Sequence, residues 1–265
     1  MSGDSYQLTM GATVLSFDVS TYEKGMRHAP HQHDELQLSI VLKGTVRETV
    51  GAKSEIGGAL SVVAKDSGVI HSDDFGPETP RIARLSLPAG TLADLLDDRS
   101  RSNSWTWTHD ARVANPFLRL VQRAHVSGAR KFDCTDPDVV DLLALFTARP
   151  DSARGRPPVW LEEIVDEIRS AWHASLSVRS IAAKAGVHPV YLARCVRRWY
   201  GTGVAAELRL ARMRAAAAAL TSSGDTVSTV AHRYGYSDEA HLCRELRASL
   251  SLTPRRYRSL VQSFA

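Results

Sequence analysis

Four residues near the start of the chain have the types and spacing to hold a metal ion or a polar ligand: His31, His33, Gln37 and His71. Side chains alternate between the two faces of a β-strand, so His31 and His33, two positions apart, project from one face. A neighbouring antiparallel strand carrying His71 would complete a set of three imidazoles. Such a set at His31, His33 and His71 suits a divalent transition metal (Zn, Fe, Ni, Cu or Mn), the one cofactor the sequence suggests, with Gln37 a weak fourth ligand. Glutamine brings no negative charge to hold a hard ion, so three readings stay open. The residues form a metal centre, or they hydrogen-bond an organic effector, or they are histidines satisfied inside a sheet. His28, three positions before His31, is expected outside the set.

A second chemistry lies in the arginines of the C-terminal part. VRSIAAKAGVHPVYLARCVRR (Val178–Arg198) echoes VSTVAHRYGYSDEAHLCRELR (Val227–Arg247), pairing Ala182 with Ala231 and Gly186 with Gly235. One extra residue in the second copy brings Leu192 and Arg194 onto Leu242 and Arg244. Each copy reads as a helix, a glycine turn and a second helix. The alanines are small where two helices cross closely, and the glycines can take the positive φ that ends the first helix. Leu192 with Val196, and Leu242 with Leu246, are apolar i, i+4 pairs for the inner face. The outward face is then left to Arg194, Arg197, Arg198, Arg244 and Arg247, the arrangement of a recognition helix facing DNA, present twice. Between the copies, the alanine-rich segment Val204–Ser223 is a strong helix former; at ~1.5 Å per residue it gives a rod of roughly 25 Å. That length suits recognition helices about one DNA turn, roughly 34 Å, apart.

The elements that must position these residues divide the chain of 265 residues into two domains. Short alternating runs such as LQLSIVL (Leu36–Leu42) and TVRETV (Thr45–Val50), separated by glycine turns, predict an antiparallel sandwich or barrel over 1–90. From Thr91 the texture turns helical. TLADLLDD (Thr91–Asp98), PFLRLVQRAHV (Pro116–Val126) and PDVVDLLALF (Pro137–Phe146) carry helical spacing, with Asn115 and Asp136 placed as N-caps, in a support or dimerisation region over 91–148. RPDSARGRPP makes 149–158 a linker, and 159–265 reads as helix. Residues 1–150 hold 16 Lys and Arg against 19 Asp and Glu, whereas 151–265 hold 17 against 10. A basic half joined to a slightly acidic one implies that one domain meets a polyanion and the other does something else. Cys134, Cys195 and Cys243 are too scattered for a disulfide framework, and an odd count fits a reducing compartment. No apolar run approaches the ~18 residues of a membrane span, and no secretory signal opens the chain, so a cytoplasmic location is expected.

Residues Val159–Leu260 resemble the DNA-binding domain of AraC/XylS-type transcription regulators. The resemblance rests on VRSIAAKAGV, YLARCVRR, LRLARMRAAAAAL, VSTVAHRYGYSDEAHLCRELR and LTPRRYR, in the family's order. It implies that Val190, Ala193 and Arg194 face base edges from the first recognition helix, and Glu239, His241, Cys243 and Arg244 from the second. Arg194 and Arg244 are the expected readers of guanine, while Arg197, Arg198 and Arg247 are expected at phosphates. Thr253-Pro254 is the family's helix start, an N-cap followed by proline at N1. Glu207 departs from the pattern by standing where an aromatic residue is usual. In the other half, Gly25, His31-x-His33, Gln37 and Gly44 reproduce the spacing of the first cupin motif, with Gln37 in the place of its usual Glu; GVIHSDDF (Gly68–Phe75) resembles a weaker second motif that supplies His71.

These resemblances imply a two-domain α+β protein: an N-terminal antiparallel β-barrel of cupin or jelly-roll type with flanking helices, and an all-α C-terminal domain with two helix-turn-helix motifs. The expected function is a sequence-specific transcription regulator, in the family's common case an activator, and not an enzyme. Its partners would be double-stranded promoter DNA, a small-molecule or metal effector, RNA polymerase and a second copy of the chain, with no membrane involved. The alternative is a metal-dependent cupin dioxygenase or isomerase carrying a DNA-binding tail. Against it stand Gln37, the lack of a later Asn after His71, and no acid–base pair at fixed spacing, so no catalytic residue is assigned.

Overall fold

The computed structural model describes residues 14–90, 105–109, 111–128, 131–133, 135–147, 157–170 and 176–264. Among these the chain forms ten strands and nine helices, one helix falling between the last two strands and eight following them. The strands are β1 (Val14–Thr21), β2 (Arg27–His31), β3 (Leu36–Lys43), β4 (Val46–Val50), β5 (Lys53–Gly57), β6 (Val62–Lys65), β7 (His71–Phe75), β8 (Arg81–Leu87), β9 (Trp105–Thr108) and β10 (Lys131–Asp133). They make two antiparallel sheets, β10-β1-β8-β3-β6-β9 and β2-β7-β4-β5.

β3 shows why the larger sheet is buried on both faces. Leu36, Leu38, Ile40 and Leu42 enter a core shared with helices, whereas Ser39 and Val41, one position out of phase, line a cavity between the sheets. β8 repeats the pattern, with Ala83, Leu85 and Leu87 on the helical side and Ile82 and Arg84 at the cavity. The six-stranded sheet is thus a wall one residue thick between cavity and helices. Gly57, at the end of β5, lies against the Trp107 indole of β9; a Cβ there would meet the Trp107 ring at 2.0 Å.

The region expected to be wholly helical contributes β9 and β10 to this sheet, around helix α1 (Ala111–Ser127). Both strands are too short to show a period of their own, and pairing with β6 and β1 decides them. Asn115 is no N-cap: α1 begins at Ala111 and carries Pro116 inside it. Asp136 does cap helix α2 (Pro137–Thr147), its carboxylate accepting from Asp138 N at 3.0 Å. Thr91–Asp98 and residues 149–156 of the expected linker lie outside the described residues.

The C-terminal helices are α3 (Val159–Ser170), α4 (Val178–Lys184), α5 (Pro189–Tyr200), α6 (Val204–Ser222), α7 (Val227–Arg233), α8 (Glu239–Leu250) and α9 (Pro254–Gln262). Side chains that cannot extend the preceding turn start them. Ser177 forms a capping box with Ser180, Thr226 accepts from Thr229 N, and Thr253 accepts from Arg256 N ahead of Pro254. α6, expected as a spacer rod, is buried along much of its length and therefore central. Its start, with Val204, Leu208 and Ala211, packs with α3–α5; its later part, with Met213, Ala216, Ala217 and Leu220, joins the core that continues into the large sheet.

Candidate functional site

The structure brings His31, His33 and His71 together: one nitrogen from each lies within 4.8 Å of the others. β2 and β7 pair so that His31 stands opposite His71, as the sequence predicts. Both rings have the same fixed tautomer. Nδ1–H of His31 donates to Ala29 O at 2.8 Å and Nδ1–H of His71 to Val69 O at 2.9 Å, leaving Nε2 lone pairs free. His71 is 1% exposed and its Nε2 has no hydrogen-bond partner. Burial, and after it the Lys65 ammonium, hold the His33 and His71 imidazoles down at about 4, so they are neutral at pH 7. An orphaned, buried imidazole nitrogen beside two further imidazoles fits a transition metal.

Two placements differ from expectation. His28 joins the cluster: its Nδ1 is 3.5 Å from Asp73 Oδ2, and its ring centroid is 5.5 Å from that of His31. A register shift between His28 and His31 cancels the alternation that would send residues three apart to opposite faces. Asp73, unnoticed in the sequence, stands 4.0 Å from Nε2 of both His31 and His71, and burial raises its carboxyl above the usual range. Its position two residues after His71 in β7 places it on the same face, a signal that strand alternation does carry. Gln37 is buried at 6% exposure, two residues before Ser39 on the cavity side of β3.

The cavity itself leaves about 30 Å³, room for one or two waters. Glu48 crosses it, accepting from the Lys65 ammonium and from Trp105 Nε1. Arg84 and Trp107 also line it, and neither Arg84 Nε nor Trp107 Nε1 has a partner.

The helical half repeats as the sequence predicts. Gly186 and Gly235 take φ of 66° and 74°. The same two bonds close both turns: Gly186 N to Ala183 O and Val187 N to Ala182 O, then Gly235 N to His232 O and Tyr236 N to Ala231 O. His188 and Asp238 cap α5 and α8, which places the extra residue of the second copy in the turn before α8. Leu192, Val196, Leu242 and Leu246 are fully buried, while Val190, Arg194, Arg197, Arg198, Arg244 and Arg247 are exposed. Ala193, Glu239, His241 and Cys243 are half-buried. Glu207 is buried in the place of the family's aromatic residue because it accepts from Arg169 Nε at 3.2 Å and Thr202 Oγ1 at 2.6 Å.

Three contacts unmentioned by any local pattern join the halves. Arg214 of α6 donates to Ala59 O at 3.3 Å, to Arg169 O at 3.2 Å and to Ser61 Oγ. Arg81 of β8 donates to Val261 O at the end of α9, and Tyr257 OH donates to Leu42 O at 3.3 Å. Burial lowers the Arg214 guanidinium to about 10, and no carboxylate among the described residues pairs with it.

A family model described as a helix-turn-helix domain matches residues 181–259. No curated protein matches the chain. Among solved structures, the C-terminal domain of AraT, a response regulator from Geobacillus stearothermophilus, is similar at 25% identity over 39% of this chain and 86% of its own, with a TM-score of 0.35. A transcriptional regulator with an AraC-type DNA-binding domain from Chromobacterium violaceum aligns at 24% identity over 38% of this chain and 91% of its own, TM-score 0.36. Apo ToxT from Vibrio cholerae aligns over 93% of this chain and 97% of its own at 12% identity, TM-score 0.37. Residues 181–259, with their doubled turn and arginine-faced helices, are therefore an AraC-type helix-turn-helix domain, and the chain that carries them is a DNA-binding transcription regulator.

Proposed function

We propose that the chain is an effector-responsive transcription activator without enzymatic activity. In the cytoplasm it binds promoter DNA through α5 and α8 as a homodimer and recruits RNA polymerase, while the cupin-like cavity between its sheets senses a small ligand. The observation that carries this reading is the shared wall: alternate residues of β3 and β8 face the cavity and the helical core that holds the second helix-turn-helix. A ligand that favours one conformation of this wall must bias the helices packed on it, and DNA must bias the cavity in return. Dimerisation is assigned to the support region, where Val126 and Val140 of α1 and α2 are exposed.

The histidines do not line that small cavity and meet it only through Asp73; it is the convergence of their three nitrogens that suits an ion. His31, His33 and His71 would hold a divalent metal, with Asp73 near enough to supply the negative charge that Gln37 lacks. Bound there, the metal would add a fixed positive charge linking β2 to β7.

Elemental analysis of the full chain, purified without chelator or histidine tag, is expected to find near-stoichiometric metal that a His31/His33/His71 triple alanine variant loses. The wild type should prefer its own upstream DNA to a scrambled duplex, and metal should change that affinity. Equal binding of both duplexes sinks the regulator reading. Metal-free, folded protein reassigns the histidines to an organic effector, and turnover of a candidate substrate by metal-loaded protein would replace the reading with the enzyme.

A further inference from the structure

The two recognition helices superpose from their N-caps: His188 on Asp238, Val190 on Ala240, Tyr191 on His241, Ala193 on Cys243 and Arg194 on Arg244. Arginine is common to both, but the residues one turn earlier differ in chemistry. Val190 is 61% exposed and Tyr191 52% exposed, an apolar pair standing among the exposed Arg194, Arg197 and Arg198. Tyr191 is braced by Trp160, the rings 6.1 Å apart and nearly parallel. Val190 belongs to none of the hydrophobic clusters among the described residues. The same stretch of α8 is polar. Ala240 offers one methyl group, the Glu239 carboxylate faces Arg255 at 3.9 Å, and His241 Nδ1 is 3.3 Å from Ser237 Oγ.

We infer that Val190 reads the 5-methyl group of a thymine beside the base pair read by Arg194, and that the single Ala240 methyl at the same place in α8 makes a smaller contact, so loss of a thymine methyl costs less in the Arg244 half. The inference rests on the DNA-binding reading above and adds which base the first helix selects. The methyl of thymine is the apolar feature of the major-groove edge, so an exposed aliphatic side chain ringed by arginines finds its complement there rather than on an apolar protein surface. Valine is β-branched and holds one rotamer in a helix, so it presents its methyls at little entropic cost. Val190 and Arg194 are i and i+4 on one stripe, about 6 Å apart along the axis, which spans one to two base-pair steps.

The test uses duplexes that the full wild-type chain selects from a randomised library, with each thymine replaced in turn by deoxyuridine, which removes only the methyl. Arg194→Ala and Arg244→Ala assign the two halves by the positions whose preference they relax. Expected is one thymine in the Arg194 half where uracil weakens wild-type binding about fourfold, the worth of one buried methyl. Val190→Ala should bind the thymine and uracil duplexes equally, whereas Val190→Thr, close in shape, keeps part of the discrimination. No uracil-sensitive position in that half overturns the inference, as does a Val190→Ala chain that discriminates as well as wild type. If Val190→Ala dissociates a dimer and leaves base preference intact, the apolar pair is a protein interface and the inference fails. A wild type that selects no consensus sinks the DNA reading itself.

Discussion

The two helix-turn-helix units share turn geometry, capping and arginine positions, yet they live in different surroundings. The first has its own core, built from Leu161, Val165 and Ile168 of α3, Ile181 of α4, Leu192 and Val196 of α5, and the start of α6. The second has none of its own: Val230, Leu242, Leu246 and Tyr257 belong to one core with Leu38, Ile40 and Leu85 of the sheet and Phe117 and Leu120 of α1. A repeated sequence thus yields a repeated local fold, while the residues outside the repeat decide what each copy is attached to. One copy is a satellite and the other is part of the sheet's core.

Core truncations should show the difference most strongly. Leu246→Ala and Leu192→Ala each remove a fully buried side chain, at a cost of ~2–5 kcal/mol. Hydrogen exchange should report the first as lost protection in β3 and β8 as well as in α8, and the second as loss confined to α3–α5 and the start of α6. If both losses stay local, the shared core does not act as a unit.

Arg214 sits at the seam of α6, between Ala211 of one core and Ala216 of the other. Arg214→Ala leaves Ser61 Oγ, Ala59 O and Arg169 O without this donor, a loss of ~1–3 kcal/mol. Exchange near Ser61 should rise together with exchange at the end of α3; a rise on one side alone would show that the seam is not a joint.

On DNA, Arg194→Ala and Arg244→Ala should each cost ~1–3 kcal/mol of specific binding and relax preference at one base pair. Equal loss on specific and random duplexes would assign that arginine to phosphate instead.

A further effect is expected with pH in the chain stripped of metal. His33 and His71 bind protons at about 4 in the folded chain but near the ordinary histidine value when unfolded. The unfolded state therefore gains protons first, so their contribution to stability is full above ~6.5 and is lost as pH falls toward 4. Thermal melts over that window should lower the sheet and the second unit together and spare the first, with alanine at both positions removing the slope.

Much of the helical site is legible from residues alone. A glycine that must end a helix, a hydroxyl or carboxylate that caps the next one, and leucines four apart are local constraints, and they placed Gly186, Gly235, Asp136, Thr253, Leu192 and Leu242 where the structure has them. Alternation likewise brought His31 to His71, and could have offered Asp73. It failed for His28, because a bulge has no signature in a five-residue strand, and for β9 and β10, which exist only as partners of β6 and β1.

The sequence by itself determined the doubled helix-turn-helix unit, the outward arginines and the convergence of three histidines, since each follows from a short period in the chain. Tertiary structure alone decided that the second unit shares its core with the sheet, that Arg214 is spent on Ala59, Ser61 and Arg169, and that Asp73 and His28 complete the histidine cluster. Arg214 and Ala59 alone stand 155 positions apart, and no local period encodes which distant surface a buried side chain will meet.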